Sequence, residues 1–241
     1  MENLQTKVAF ITGGTKGIGN GIAEAMMKEG IKVAITSRSL KSAEEAADKL
    51  NSKSSNAAKA LGLEADVRDF ESQKRAFDKA VEKFGKVDII IANAGVGHFA
   101  PVDEMSVQMW EEILETNLSG PFFTLKAGVE QLKKNKGYFI SISSLAGTNF
   151  FAGGSAYNAS KFGVTGFTQA AMLDLRGYGI KVSTIMPGSV ATHFNDNEPG
   201  EKDSWKIQKE DIGKLVVDLL KMNPRALPSK VEIRPTTPPS K

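Results

Sequence analysis

The 241-residue sequence predicts an α/β domain built on a doubly wound parallel sheet of about seven strands, with helices on both faces. Three observations carry that expectation. Apolar runs of strand length alternate with stretches of helical period along the chain. The strand runs are apolar throughout instead of alternating, the pattern of parallel strands covered on both faces. A glycine-rich segment falls at the first strand-to-helix junction, where such a sheet must turn tightly. No composition break interrupts the rhythm, so 1–241 reads as a single domain.

The elements follow in order. Val8-Ala9-Phe10-Ile11 is the first strand. Ile18, Ile22 and Met26 then recur at helical spacing, and Gly30 stops that helix. Lys32-Val33-Ala34-Ile35-Thr36 is the second strand, an Ala-rich helix lies near 42–52, and 60–65 is a short third strand. Phe70, Phe77, Val81 and Phe84 mark an amphipathic helix stopped at Gly85, before a fourth strand at 87–92. Trp110, Ile113, Leu114, Leu118, Leu125 and Leu132 lie on one long helix capped by Ser106. A fifth strand spans 138–142. The next helix runs from Tyr157 to about Arg176, ended by Gly177 and Gly179. The sixth strand, 181–186, stops at Pro187-Gly188; a last helix covers 208–222 and a short strand 231–233. The Pro-rich tail 235–239 reads as extended. The irregular stretch from His193 to about Trp205 follows a strand end, which makes 189–208 a candidate substrate lid.

Composition narrows the function. Apolar residues are 41% and charged residues 24%, ordinary for a globular chain. The absence of Cys excludes a disulfide scaffold, a thiolate nucleophile and a Cys-built metal site. Two histidines, His98 and His193, are too few for a His-rich metal centre, and no metal site is expected. The net charge of +3 is spread along the chain, and its densest cluster, Lys133, Lys134 and Lys136, reads as a solvated helix end. Without a basic–aromatic stripe no nucleic-acid partner is expected. No apolar run reaches the roughly 18–20 residues of a membrane span, and the N-terminus shows no secretory pattern, so a cytoplasmic protein is the expectation.

The chemistry concentrates in a few places. Thr12-Gly13-Gly14-Thr15-Lys16-Gly17-Ile18-Gly19 joins the first strand to the first helix. Glycines there permit close backbone approach, and the helix N-terminus offers free N–H donors with about half a positive charge, so a pyrophosphate fits. The second strand ends in Ser37-Arg38. An NAD site usually places an acid there for the ribose 2′-hydroxyl, whereas NADP needs room and a cation for its 2′-phosphate. Arg38 supplies that cation and Lys16 a second one, so NADP(H) is favoured over NAD(H). Further on, Asn93-Ala94-Gly95 closes the fourth strand, Asn117 sits inside the long helix, and Ser143-Ser144 ends the fifth strand. Tyr157 and Lys161, four apart, share one helix face. A phenol ionises near 10, but a nearby ammonium favours phenolate, which makes Tyr157 a usable proton donor to a carbonyl or base toward an alcohol. Ser144 is placed to hold the substrate oxygen. Asn117, a poor helix former, can compete for backbone groups or hold a water. Phe99, Phe150, Phe151, His193, Phe194 and Trp205 fall on loops after strands four, five and six, where they can wall an apolar substrate pocket.

Taken as an ordered set, the glycine segment 12–19, Asn93-Ala94-Gly95, Asn117, Ser144, Tyr157-x-x-x-Lys161 and Pro187-Gly188-x-x-x-Thr192 resemble the short-chain dehydrogenase/reductase family over nearly the whole chain. Ser144 precedes Tyr157 by 13 residues, the family's usual spacing. The resemblance implies a single-domain Rossmann fold with strand order 3-2-1-4-5-6-7. It implies that Tyr157 is the acid–base, that Lys161 lowers its pKa and holds the nicotinamide ribose, that Ser144 orients the carbonyl and that Asn117 anchors a relay water. It places Gly13, Thr15, Gly17, Ile18 and Gly19 on the pyrophosphate, and Asp66 and Val67 on the adenine. Asn93, Ala94 and Gly95 fall on the adenosine ribose side. Pro187, Gly188, Val190 and Thr192 fall around the nicotinamide. The implied reaction is NADPH-dependent reduction of a ketone or aldehyde to an alcohol, by a homodimer or homotetramer acting on a small molecule. Two alternatives stand beside it: 3-oxoacyl carrier-protein reduction, whose usual Asp-Gly-Gly ending this chain lacks, and a non-catalytic NADP(H)-responsive regulator.

Overall fold

The computed structural model describes residues 4–237. After a 3-10 turn at Leu4–Thr6 the chain forms β1 (Val8–Thr12), α1 (Gly17–Lys28), β2 (Lys32–Ser37), α2 (Leu40–Lys53), β3 (Ala60–Glu64), α3 (Phe70–Phe84) and β4 (Ile89–Ala92). It continues through α4 (Val107–Leu114), α5 (Gly120–Asn135), β5 (Tyr138–Ile142), α6 (Ser155–Leu175), β6 (Lys181–Pro187), α7 (Lys209–Lys221) and β7 (Lys230–Ile233). All seven strands pair in parallel, in the order β3-β2-β1-β4-β5-β6-β7. The expected fold class and strand order are therefore observed. The chain winds outward from β1 to β3, then returns to start again at β4 beside β1. Ligands of such sheets bind at that switch, beyond the strands' carboxyl ends.

Burial explains the continuous apolar strands. Ala9 and Ile11 of β1 face one core with Ile22 and Met26 of α1, Leu50 of α2 and Val216 of α7. Val8 and Phe10 face the other with Phe77 of α3, Leu132 of α5 and Leu175 of α6. Each fully buried side chain of this size contributes about 1.5–3 kcal/mol. Local signals behave as expected at the ends: Asp69 accepts from Glu71 N at 2.9 Å to cap α3, and Gly85 closes it with φ 83°.

One expectation needs amendment, and two more need placing. The long helix is not uniform: a π-helical turn, Glu115–Ser119, joins α4 to α5. Pro121 has no N–H to give the carbonyl of Asn117 four residues earlier, so the helix already lacks a bond where it widens. Secondly, segment 189–208 is tied at its base, with Ala191 N donating to Ile207 O at 2.9 Å and Ile207 N to Ser189 O at 3.1 Å. Inside it, buried Asp203 takes Lys206 Nζ at 2.7 Å. Lastly, Pro238 and Pro239 of the tail, like Met1, Glu2 and Asn3, lie outside the described residues. Among the described residues, no helix is long and apolar enough to cross a membrane, and no three His, Asp or Glu gather as metal ligands.

Candidate active site

The β1–α1 turn and the loop after β4 face each other across the switch point. Gly17 adopts φ 56°, a left-handed conformation that side chains strain. A Cβ on Gly19 would fall 2.4 Å from Gly13 O and 2.5 Å from Asn93 Nδ2, so only glycine fits there. Asn93 Nδ2 donates to Thr12 O at 2.9 Å and Gly13 O at 3.0 Å, while Thr12 Oγ1 accepts from Asn93 N and Ala94 N. The two loops are thus one hydrogen-bonded unit. Lys16 precedes α1 without a side-chain cap, so the first helical N–H groups are left to a ligand. Thr15 and Ile18 are half-buried within the turn. These observations fit a nicotinamide dinucleotide: the cradle is one that a Cβ would fill, and the donors are those an anion needs.

At the end of β2, Ser37 Oγ accepts from Ser39 N at 3.3 Å, and no acid is present. Arg38 is exposed and makes no ion pair among the described residues. It lines a cleft of about 380 Å³ with Asp66, Ser72 and Arg75. Asp66 is held below the usual carboxylate range, chiefly by its hydrogen bonds from the Arg68 side chain and further by the field of Arg38. Buried Val67 packs under Gly120.

Helix α6 carries Tyr157 and Lys161, and buried hydroxyls fix its register on β5. Ser141 Oγ meets Thr168 Oγ1 at 2.9 Å, and Ser143 Oγ meets Thr165 Oγ1 at 2.8 Å. Strand alternation then turns Ser144 to the site while Ser143 anchors the helix. Ser144 Oγ accepts from Ala146 N at 3.1 Å and lies near enough to the Tyr157 phenol to draw its pKa down. Lys161 Nζ donates to Ile142 O at 3.1 Å and stands 5.6 Å from the centre of the Tyr157 ring.

The acidity of the phenol differs from expectation. Burial pushes Tyr157 above its ordinary value, and the Ser144 hydrogen bond draws it only partly back. Lys161, itself buried, is lowered from 10.5 to about 8 by desolvation. Desolvation penalises phenolate and ammonium alike, and it is the largest cause of the shift in both groups.

Asn117 uses its amide on backbone groups. Oδ1 accepts from Val96 N and Nδ2 donates to Val96 O, both at 2.8 Å, and Nδ2 also reaches Ser160 Oγ at 3.2 Å. It thus ties the loop after β4 to α6; Gly95, the residue before that clamp, is exposed.

Pro187 ends β6 and half-buried Gly188 follows it, Gly188 N donating to Ile233 O at 2.8 Å, and Val190 pairs with Ile207. Thr192 lies 3.4 Å from where a Cβ of Gly17 would sit, bringing this segment back over the glycine turn. Phe99 and Phe194 flank the Tyr157 ring at 5.4 and 5.7 Å, and Phe99 meets Phe151 at 5.7 Å. Other aromatics do not join them. Phe150 is 87% exposed, Trp205 packs with Lys206, and His193 is exposed at the start of a 3-10 turn. His98 pairs with Glu112 at 3.3 Å.

Sequence reasoning missed Asn158, whose Nδ2 holds Ala146 O at 2.8 Å and Asn149 O at 2.7 Å. A buried amide beside Tyr157 in a helix was its one local signal. Gly14 was passed over as well, although a Cβ there would meet Ile35 at 2.6 Å.

Comparison with known proteins agrees with this geometry. Residues 7–203 match the family model described as short chain dehydrogenase. The NADP-dependent (R)-specific alcohol dehydrogenase of Lentilactobacillus kefiri is 35% identical over 214 residues, covering 84% of this chain and 80% of that protein. The 3-oxoacyl-[acyl-carrier-protein] reductase FabG of Vibrio cholerae is 32% identical over 214 residues, covering 88% and 85%. Among solved structures, the alcohol dehydrogenase of the archaeon Thermococcus sibiricus complexed with 5-hydroxy-NADP superposes with a TM-score of 0.90 at 29% identity, covering 98% of this chain and 99% of that one.

Proposed function

This chain belongs to the short-chain dehydrogenase family of oxidoreductases, and from that premise we propose that it reduces ketone or aldehyde carbonyls with NADPH. The observation that carries the reading is Lys161 Nζ standing 5.6 Å from the centre of the Tyr157 ring, with Ser144 near enough to the phenol to draw its pKa down. The dinucleotide supplies a hydride when bound. Gly13, Gly17 and Gly19 would seat its pyrophosphate at the start of α1, Arg38 and Lys16 its 2′-phosphate, and Lys161 its ribose. Asp66 and Val67 would face the adenine, with Asn93, Ala94 and Gly95 on the ribose side and Pro187, Gly188, Val190 and Thr192 around the nicotinamide.

The chain's own groups do the proton work. Ser144 Oγ holds the carbonyl oxygen, and Tyr157 Oη donates the proton to it. A phenol raised by burial is fully protonated near neutral pH, which favours the reductive direction. Asn117 keeps the loop around Val96 at fixed distance from α6.

Oxidation of NADPH in the presence of a ketone and diketone panel tests the activity; a wild-type protein inert toward every carbonyl would refute it. Acetoacetyl thioesters in the same panel test the carrier-protein reductase alternative. The cofactor preference rests on Arg38 and the missing acid. Wild type should bind NADPH about 10²-fold tighter than NADH, as expected for a charge-assisted guanidinium–phosphate contact. Arg38→Ala should remove most of that gap by raising the NADPH dissociation constant alone. Equal binding of both cofactors by wild type would overturn the assignment.

Exposed Phe122, Phe162 and Leu173 on α5 and α6 support pairing of copies through these helices. Sedimentation equilibrium should then read two or four times the 25.9 kDa chain, and a 25.9 kDa species would exclude it.

A further inference from the structure

The Tyr157 ring is walled by Phe99 and Phe194, and Phe151 backs Phe99; the Phe194 and Phe151 rings each press on a residue without a side chain. A Cβ on Gly97 would lie 2.3 Å from Phe194 Cζ, and one on Gly154 would lie 2.6 Å from Phe151 Cε2. Asn158 fixes the second seat by holding two carbonyls of its loop and accepting from Phe151 N at 3.4 Å. Phe99 and Phe194 meet the Tyr157 ring at 71° and 56°, edge-on and tilted, the arrangements aromatic quadrupoles prefer. Their outer parts stay accessible, Phe99 being 40% and Phe194 38% exposed. Nearby, His98 is turned to Glu112 at 3.3 Å, and Lys161 Nζ is held by the Ile142 carbonyl at 3.1 Å.

We infer that the acceptor is an uncharged ketone or aldehyde bearing an aromatic ring, stacked in this cage, and that Gly97 decides specificity by setting how deeply the Phe194 ring sits. The inference rests on the carbonyl-reduction reading and names its substrate class. Gly97 does not have a positive φ, so alanine is compatible with its backbone and the displaced group is the Phe194 ring.

The test compares phenyl methyl ketone with cyclohexyl methyl ketone, close in size but only one aromatic, using the NADPH-loaded protein. Wild type should favour the phenyl ketone about two- to tenfold in kcat/KM, the range of one aromatic pair. Gly97→Ala and Phe194→Leu should each bring the ratio to about one. The double variant should be no worse than Phe194→Leu, because both act on one contact. Equal use of the two ketones by wild type, or a ratio unmoved by either substitution, overturns the inference. If wild type binds NADPH but turns over neither ketone, the carbonyl-reduction reading fails on its own. Saturation-transfer NMR on the loaded protein then reads the cage without turnover: preferential phenyl-ketone contact upholds it, and equal contact overturns it.

Discussion

Tyr157→Phe lowers ketone reduction by about 10²–10⁴-fold, the usual contribution of a positioned general acid. The substitution removes only the hydroxyl. The ring keeps its neighbours Phe99 and Phe194 at 5.4 and 5.7 Å, so the aromatic cage survives. Stability should hold or rise slightly, since a phenol disfavoured by burial gives way to an apolar ring. Tyr157 is also expected to touch the cofactor, so NADPH binding should weaken by less than about tenfold when its one hydroxyl is lost. The wild-type pH profile carries the same signature. A phenol held above its ordinary 10 stays protonated through neutrality, so reduction falls only on the alkaline side. Stopped-flow NADPH oxidation reads both effects; an unchanged rate in the variant would remove Tyr157 from the proton step.

Lys161→Met abolishes turnover and, in the same protein, raises stability near neutral pH. The lysine has 5% of its surface exposed and a pKa lowered from 10.5 to about 8 by burial. Because the folded value lies below the unfolded one, the unfolded chain binds more protons between these two pH values. Folding is therefore penalised fully below about pH 8, and the penalty fades as pH rises toward 10.5. A shift of this size corresponds to about 3 kcal/mol at pH 7. Losing the hydrogen bond to Ile142 O returns about 1 kcal/mol, which leaves the variant about 2 kcal/mol more stable. Urea midpoints at pH 7 and pH 10 check the sign: the advantage should shrink at the higher pH. A variant less stable than wild type at pH 7 would show that Lys161 serves the fold and not the site. Catalytic groups held at a cost to the fold are a common exception to local consistency.

Such costs are invisible to sequence reading, yet much else is legible. The period of two or 3.6 residues is a local property, so β5 at Tyr138–Ile142 and α3 at Phe70–Phe84 coincide with the runs that predict them. Gly85 ends its helix with φ 83° because the residue type alone tolerates that conformation. The thirteen-residue interval from Ser144 to Tyr157 points to Ser144, and strand alternation explains why its neighbour Ser143 turns to Thr165 instead. By contrast the π turn around Asn117 was hidden, although Pro121 marks the missing donor. Its apolar residues alone describe one unbroken helix.

What the amino-acid order determined by itself is the succession of strands and helices, the glycine turn and the residue types offered for chemistry, since each depends on neighbours a few positions away. Tertiary structure alone decided three things: Asn93 clamps Gly13, Asn117 grips Val96, and the Phe194 ring rests on Gly97. It also decided that burial raises the Tyr157 phenol and lowers the Lys161 ammonium. Those outcomes depend on which strands lie side by side and how much water they exclude. Hydrogen bonding and desolvation respond to distance in space, and periodicity along the chain carries no record of it.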